Sequence, residues 1–345
     1  MLAEVCLGVA VAGLVAYAVF GGADFGGGIW DLLAGGPEKG ARARGLIRRS
    51  ITPVWETNHV WLPFVLVVLW TGFPLFFGSI MSTLYVPLFL ATGGIISRGT
   101  AFAIGGQATR LREARVIGVA FALSSVLVPF CFGAAIGGVA SGRVPVGNAA
   151  GDAFSSWLNP TSAVIGVLAV LSSAYLAAVF LAGDAVRAGL PDLEEGFRRR
   201  ALASGAVAGA LAVGALPVLH SDARYLYDGL TSSGGLVLLL VSVVGGAATL
   251  GLVATRRYEV ARVSAGVAVA AIVAGWAVAQ RPYLLPGKLT IDQAAANHAT
   301  LTALLISLAG GALLLVPSLV LLYRLVLRGR LDEEFHPLDE QWRQP

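Results

Sequence analysis

Long apolar runs, separated only by short basic gaps, leave this chain a single solvent in which it can bury its surface. The runs lie near 3–33, 53–77, 80–104, 116–140, 161–183, 201–219, 234–254, 260–279 and 300–326. Each approaches or exceeds the roughly 20 residues that an α-helix needs to cross the hydrocarbon core of a bilayer. Of the 345 residues 57% are hydrophobic and only 13% are charged, where soluble domains carry about 25% charged residues. Too little polar surface remains to cover a water-soluble globule. The expected fold is therefore an all-α integral membrane protein with nine transmembrane helices. They are expected to form two four-helix bundles plus one peripheral helix, a single transmembrane domain over 1–327 followed by a cytoplasmic tail over 328–345.

The charges assign an orientation. Nineteen of the 24 Lys and Arg residues fall in segments 34–52, 105–115, 184–200, 255–262 and the C-terminal end, which alternate with the rest along the nine runs. The intervening segments hold only Arg143, Arg224, Arg281 and Lys288, and Arg98 alone lies deep inside a run. Positive charge concentrates on the cytoplasmic side of membrane proteins, so the N-terminus is expected outside and the C-terminus inside. The net charge of +4 is explained by this topology, because no aromatic-basic interleaving points to a nucleic acid.

Several classes drop out. The first run, "MLAEVCLGVAVAGLVAYAVF", has no basic n-region or A-x-A site, so it reads as a retained helix. Cys6 and Cys131 stand alone in apolar runs, with no metal-ligand spacing and no disulfide framework. No phosphate loop, dinucleotide fingerprint, C-x-x-C-H or H-E-x-x-H is present. The four histidines, His59, His220, His298 and His336, are too few and too scattered to bind several haems. No metal site is expected.

Ionisable groups inside a membrane are costly and mark functional candidates. Asp24 lies among the glycines of "GGADFGGG", where Gly22 and Gly26 form a small-xxx-small face suited to close helix approach. Glu56, Asn58 and His59 lie between Trp55 and Trp61 in "PVWETNHVWLPF". Glu56 also has a purely structural reading: Thr52 and Pro53 suit a helix start, and a carboxylate in the first turn favours the helix dipole. Helical spacing puts Glu56 and His59 on one face and Asn58 and Trp61 on another. Arg98, deep in the third run, needs an anion or carbonyls, and Asp24 and Glu56 are the nearest candidates. A short echo, "VFGGAD" at 19–24 and "VFLAGD" at 179–184, places Asp24 and Asp184 at the basic ends of the first and fifth runs.

Two of these stretches resemble a known family. "GGADFGGGIWDLL" and "TPVWETNHVWLPFVLVVLWTGFPLFF" are similar to the D-G-F-D-x-G-x-G-x-L and P-x-W-D-G-N-E-V-W-L motifs of subunit II of cytochrome bd-type quinol oxidases. Arg98 with Phe102, and the segment "RPYLLPGKLTIDQAAANHATLTALL", extend the resemblance along the chain. It implies a subunit of a quinol:oxygen oxidoreductase in the aerobic respiratory chain of a bacterial cytoplasmic (inner) membrane. Haem b and haem d would be bound mainly by the partner, subunit I, which also carries the quinol site. Small accessory subunits are further possible partners. The resemblance places Glu56 and Asp24 on a proton route and Trp61 on an oxygen path, with Arg98, Asn58 and His59 as polar, partner-facing groups. Burial raises a carboxylate's pKa towards neutrality, as a relay requires. Departures from the motifs are Gly21 for the first acid, Glu56 for aspartate, Thr57 for glycine, and His59 for an acid or amide.

Two other readings compete: a secondary membrane transporter, and a bd-like oxidase with altered haem content or electron donor. A transporter predicts broken helices in matching halves around a midplane site. Here the polar cluster is confined to the first three runs, which favours a supporting subunit.

Overall fold

The computed structural model describes residues 1–104 and 111–327; within these, the side chains of 37–38, 52–57, 59, 102, 111–116, 323 and 326–327 lie outside the description. The expected tail over 328–345 also lies outside the described residues. Residues Met1–Leu301 form one compact unit and Thr302–Pro345 a second. The described part of the second unit is the apolar continuation of a helix, with Pro317 inside it.

Helix α1 (Leu2–Ala16) passes through a π-helical turn (Tyr17–Gly21) into α2 (Gly22–Leu32). Next come α3 (Pro37–Gly72), α4 (Pro74–Thr83), α5 (Tyr85–Ile104), α6 (Leu111–Ala140), α7 (Pro160–Arg187) and α8 (Pro191–Asp222). The chain continues through α9 (Arg224–Thr231), α10 (Ser233–Ala254), α11 (Tyr258–Ala279), β1 (Tyr283–Leu285), β2 (Leu289–Thr290), α12 (Ile291–Ala294) and α13 (His298–Leu327). Among the described residues seven helices are long and apolar enough to cross a membrane, and the bent pair α4–α5 makes up to eight. The chain is a helical, multi-pass membrane protein.

Three expectations are corrected. The all-α class holds, but the 280–299 connection is not a plain loop, since β1 and β2 pair antiparallel there, with Gly287 at φ +69° in their turn. The second helix does not begin at Pro53. It begins at Pro37 and carries the basic segment within it, because arginines are good helix formers and need only extend beyond the lipid. Pro53 is therefore inside α3, and the helix-start account of Glu56 fails. That helix ends one residue before Phe73, which precedes Pro74 and takes an extended φ of −139°. The third run is correspondingly split, with α4 and α5 meeting at 84°.

The basic segment 184–200 is likewise mostly helix. Only Ala188, Gly189 and Leu190 separate α7 from α8. Gly189 takes φ +67°, its N–H bonds the Val186 carbonyl at 3.0 Å, and the Leu190 N–H bonds the Ala185 carbonyl at 2.9 Å. This is the left-handed helix stop that glycine makes cheaply. The same bonding recurs between α10 and α11, where Arg256 at φ +59° replaces glycine. Arg256 is held there by ion pairs with Glu194 at 2.8 Å and Glu195 at 3.2 Å.

Contacts between connections sort them into two ends of the first unit. Arg42–Asp192 at 2.6 Å, Asp184–Arg262 at 2.6 Å and Arg256–Glu194 join the three basic segments 34–52, 184–200 and 255–262. At the other end Arg143 grips Asp222 at 2.5 Å, Lys288 donates to the Gly142 carbonyl at 2.6 Å, and Arg281 pairs with Glu4 near the N-terminus. The Ala296 N–H also bonds the Gly72 carbonyl there, at 2.8 Å.

Small residues set the helix spacing in the core. A Cβ at Gly26 would overlap the Ser173 carbonyl and lie 2.6 Å from the Ala177 Cβ, so α2 rests directly on α7. The neighbouring Trp30 indole N–H donates to the Ala174 carbonyl at 2.8 Å. Gly26→Ala is expected to cost about 1–3 kcal/mol by overpacking, read as a lower Tm of the detergent-solubilised protein. Gly8→Ala, where a Cβ meets nothing within 4 Å, should leave Tm unchanged.

Candidate functional site

Arg98 is 2% exposed, and a guanidinium that deep in an apolar bundle requires neutralisation and filled N–H donors. Of the two carboxylates expected nearby, Asp24 is the partner, also 2% exposed. Arg98 Nη2 lies 2.5 Å from Asp24 Oδ1 and donates to the Asp24 backbone carbonyl at 2.8 Å. Nη1 donates to the Ser125 hydroxyl, which itself donates to the Phe121 carbonyl at 2.6 Å. The Phe121 and Phe25 rings lie 4.1 and 5.2 Å from the guanidinium carbon, within cation–π range. Nε has no partner among the described residues.

Three helices supply this cluster: α2 gives Asp24 and Phe25, α5 gives Arg98, and α6 gives Phe121 and Ser125. Gly28 makes room for it, since a Cβ there would overlap the Ser125 hydroxyl and lie 2.7 Å from Arg98 Nη1. The π-helical turn ends one residue before Gly22. Its wider winding changes the direction in which the following residues point, because each residue of an α-helix advances about 100° around the axis. Ser125 and Gly28 were not read from the sequence as site residues. The sequence signals were the glycine cluster 21–28, which ends at Gly28, and a polar pair, Ser124 and Ser125, inside an apolar run.

The second polar stretch lies on α3. Asn58 is 4% exposed and faces helix one, with its amide 3.0 Å from where a Gly21 Cβ would sit; its Oδ1 has no partner among the described residues. Gly21, which departs from the family acid, is thus the surface on which Asn58 packs. Trp61 is partly buried and meets Phe64 edge-on at 6.3 Å, while Phe64 packs against Gly13. The side chains of Glu56, His59 and Phe102 lie outside the described residues. The structure brings Asp24 and Arg98 into contact, and sets Asn58 against the same first helix.

Asp184, the echo of Asp24, is bound by a comparable arrangement. Arg262 Nη2 contacts Asp184 Oδ1 at 2.6 Å and donates to the Phe180 carbonyl at 2.5 Å, again joining a carboxylate and a carbonyl of one helix. The arginine comes from α11, however, which is not the counterpart of α5 in two four-helix halves.

The described residues do not fit a haem. His298 is exposed, and the exposed His220 has its Nε2 against Arg224 Nη1. No cluster of three His, Cys, Asp or Glu residues occurs among the described residues. A cavity of about 220 Å³, lined by residues including Asp222, Arg224, Tyr225 and Pro286, contains none of the candidate residues.

The chain matches the family model described as cytochrome bd terminal oxidase subunit II over residues 2–326. It is 28% identical over 112 residues to cytochrome bd ubiquinol oxidase subunit 2 of Bacillus subtilis (strain 168). That alignment covers 32% of each chain, so it spans about a third of this curated relative. The structure of bd oxidase from Geobacillus thermodenitrificans contains a chain of similar fold, with a TM-score of 0.70 and 26% identity. The match covers 94% of this chain and 98% of that one.

Removing one member of the buried pair should be far more damaging than removing both. Arg98→Gln is expected to cost about 3–5 kcal/mol, because Asp24 is left charged and unpaired in an apolar site. Combining it with Asp24→Asn should restore part of that loss. A double-mutant cycle on the Tm of the solubilised protein measures the coupling, and additive losses would show that the pair is not coupled.

Proposed function

The chain belongs to the cytochrome bd terminal oxidase subunit II family, and from that premise we propose that it is the second subunit of a quinol:oxygen oxidoreductase. Its partner is a haem-bearing subunit I, and the complex oxidises quinol and reduces oxygen to water in the bacterial cytoplasmic membrane. The match from residue 2 to residue 326 of a multi-pass helical chain is the observation that carries this reading. Haem b and haem d, bound by subunit I, supply the electron transfer and oxygen chemistry. This chain supplies structure, a proton route and an apolar path.

Within that division of labour, Glu56 is the proton-accepting group. It lies two residues before Asn58 on α3, and the resemblance of its motif to the family's acid supports this role. Asp24 stands at the inner side of the route as the anion that keeps Arg98 in place. Trp61 and Phe64 form an aromatic wall on α3, suited to oxygen, which needs apolar surfaces and no charge. Asn58 and Arg98, expected to face the partner, are instead buried within this chain and order its interior, which leaves His59 as the partner-facing polar group. Nine crossings with the N-terminus outside complete the reading. They comprise the seven long helices, the bent pair α4–α5, and α3 with its apolar end 60–72.

Two measurements test this. The purified complex should show haem absorption and quinol-dependent oxygen uptake. Glu56→Gln should slow turnover by about 10²-fold or more, the scale of a lost acid–base group, with haem content unchanged. Unaltered turnover removes Glu56 from the route, and haem-free protein that catalyses solute flux would favour a transporter. For sidedness, a cysteine at Gly147 should react with an impermeant maleimide in intact cells. One at Gly189 should react only after permeabilisation; the reverse pattern inverts the topology.

A further inference from the structure

One cation at the basic end has aromatic neighbours and no anion among the described residues. The guanidinium carbon of Arg200, on α8, lies 5.0 Å from the Phe197 ring centroid and 5.3 Å from that of Trp30. Trp30 is itself fixed by its bond to the Ala174 carbonyl. Among the described residues no carboxylate or carbonyl accepts from Arg200. The carboxylates described on the surrounding segments are already engaged: Glu195 with Arg198 and Arg199, Glu194 with Arg256 and the Tyr258 hydroxyl, and Asp184 with Arg187 and Arg262. Farther out, Asp192 holds Arg42 and Asp31 faces Arg44.

Rings near the guanidinium hold it in place without consuming N–H donors, and those donors form a planar fork that matches two phosphate oxygens. Arg200 is nine residues into α8, about 13 Å along the axis at 1.5 Å per residue. It is also partly exposed. A long side chain at that depth reaches back to the headgroup level of the basic-side leaflet. Basic pockets between membrane helices on that side bind anionic headgroups.

We propose that Arg200, positioned by Trp30 and Phe197, binds a phosphate group at the basic end of the first and sixth crossings, that of an anionic phospholipid. Free inorganic phosphate offers the same oxygens, so the test separates the two sources. The delipidated, detergent-purified complex is titrated with cardiolipin, phosphatidylglycerol, phosphatidylcholine or inorganic phosphate, and Tm is followed. The anionic lipids should raise Tm in the wild type and in Arg257→Gln, a control at an exposed arginine. Arg200→Gln should lose that rise. Arg200→Lys keeps the charge without the fork and should retain anionic lipid at least threefold more weakly by native mass spectrometry, which tests the site even if the glutamine variant does not assemble. An undiminished response in Arg200→Gln or Arg200→Lys, or an equal loss in Arg257→Gln, overturns the site. Equal stabilisation by phosphatidylcholine, or an Arg200-dependent rise with inorganic phosphate alone, overturns the lipid assignment.

Discussion

A guanidinium that is 2% exposed in an apolar bundle is stable only if its charge and its N–H groups are answered from several directions at once. Arg98 receives Asp24 from α2, Ser125 from α6, and the faces of Phe25 and Phe121. None of these contacts exists unless α2, α5 and α6 meet at one height. Losing Asp24 leaves an uncompensated charge where water cannot relieve it, and losing Ser125 leaves a buried N–H without its acceptor. The pair thus works less as a source of net stability, which buried ion pairs seldom provide, than as a constraint on which helices are neighbours.

The rest of the core serves that approach. Gly28 leaves room for the guanidinium, Gly26 lets α2 touch α7, and Gly21 receives Asn58. Without a hydrophobic drive between helices in lipid, close backbone approach and a few polar contacts have to hold them together. At the basic end a second layer of ion pairs joins α3, α7, α8 and α11, and there Arg256 accepts a left-handed conformation costing roughly 1 kcal/mol. Gly189 makes the equivalent turn with no side chain, and Arg256 makes it while holding Glu194 and Glu195. Several of the basic residues that cluster between the apolar runs are also the residues that fasten the helix ends.

Much of this was legible before any coordinates. The hydropathy pattern located the seven long apolar helices found among the described residues, since one apolar helix per bilayer thickness is a one-dimensional rule. Asp24, Arg98 and Asn58 stood out because polar groups in lipid are costly wherever they point. Helix boundaries were less legible. Pro53 reads locally as a helix start, yet α3 runs through it from Pro37, because neighbouring turns and packing override a local preference. Ser125 gave almost no signal, as a serine in a membrane helix usually bonds its own backbone; only the position of Arg98 gives it a second partner.

The sequence by itself determined that this chain is a multi-pass membrane protein, where its apolar segments lie, and which buried charges demand partners. These follow from composition and spacing along one dimension. Only the tertiary structure decided that Arg98 closes on Asp24 and Ser125, that Gly21 supports Asn58, and that Arg200 has rings but no anion among the described residues. Which residues lie opposite one another depends on helix azimuth, depth and tilt. Those are fixed by the packing of several helices together, and no single stretch of sequence contains them.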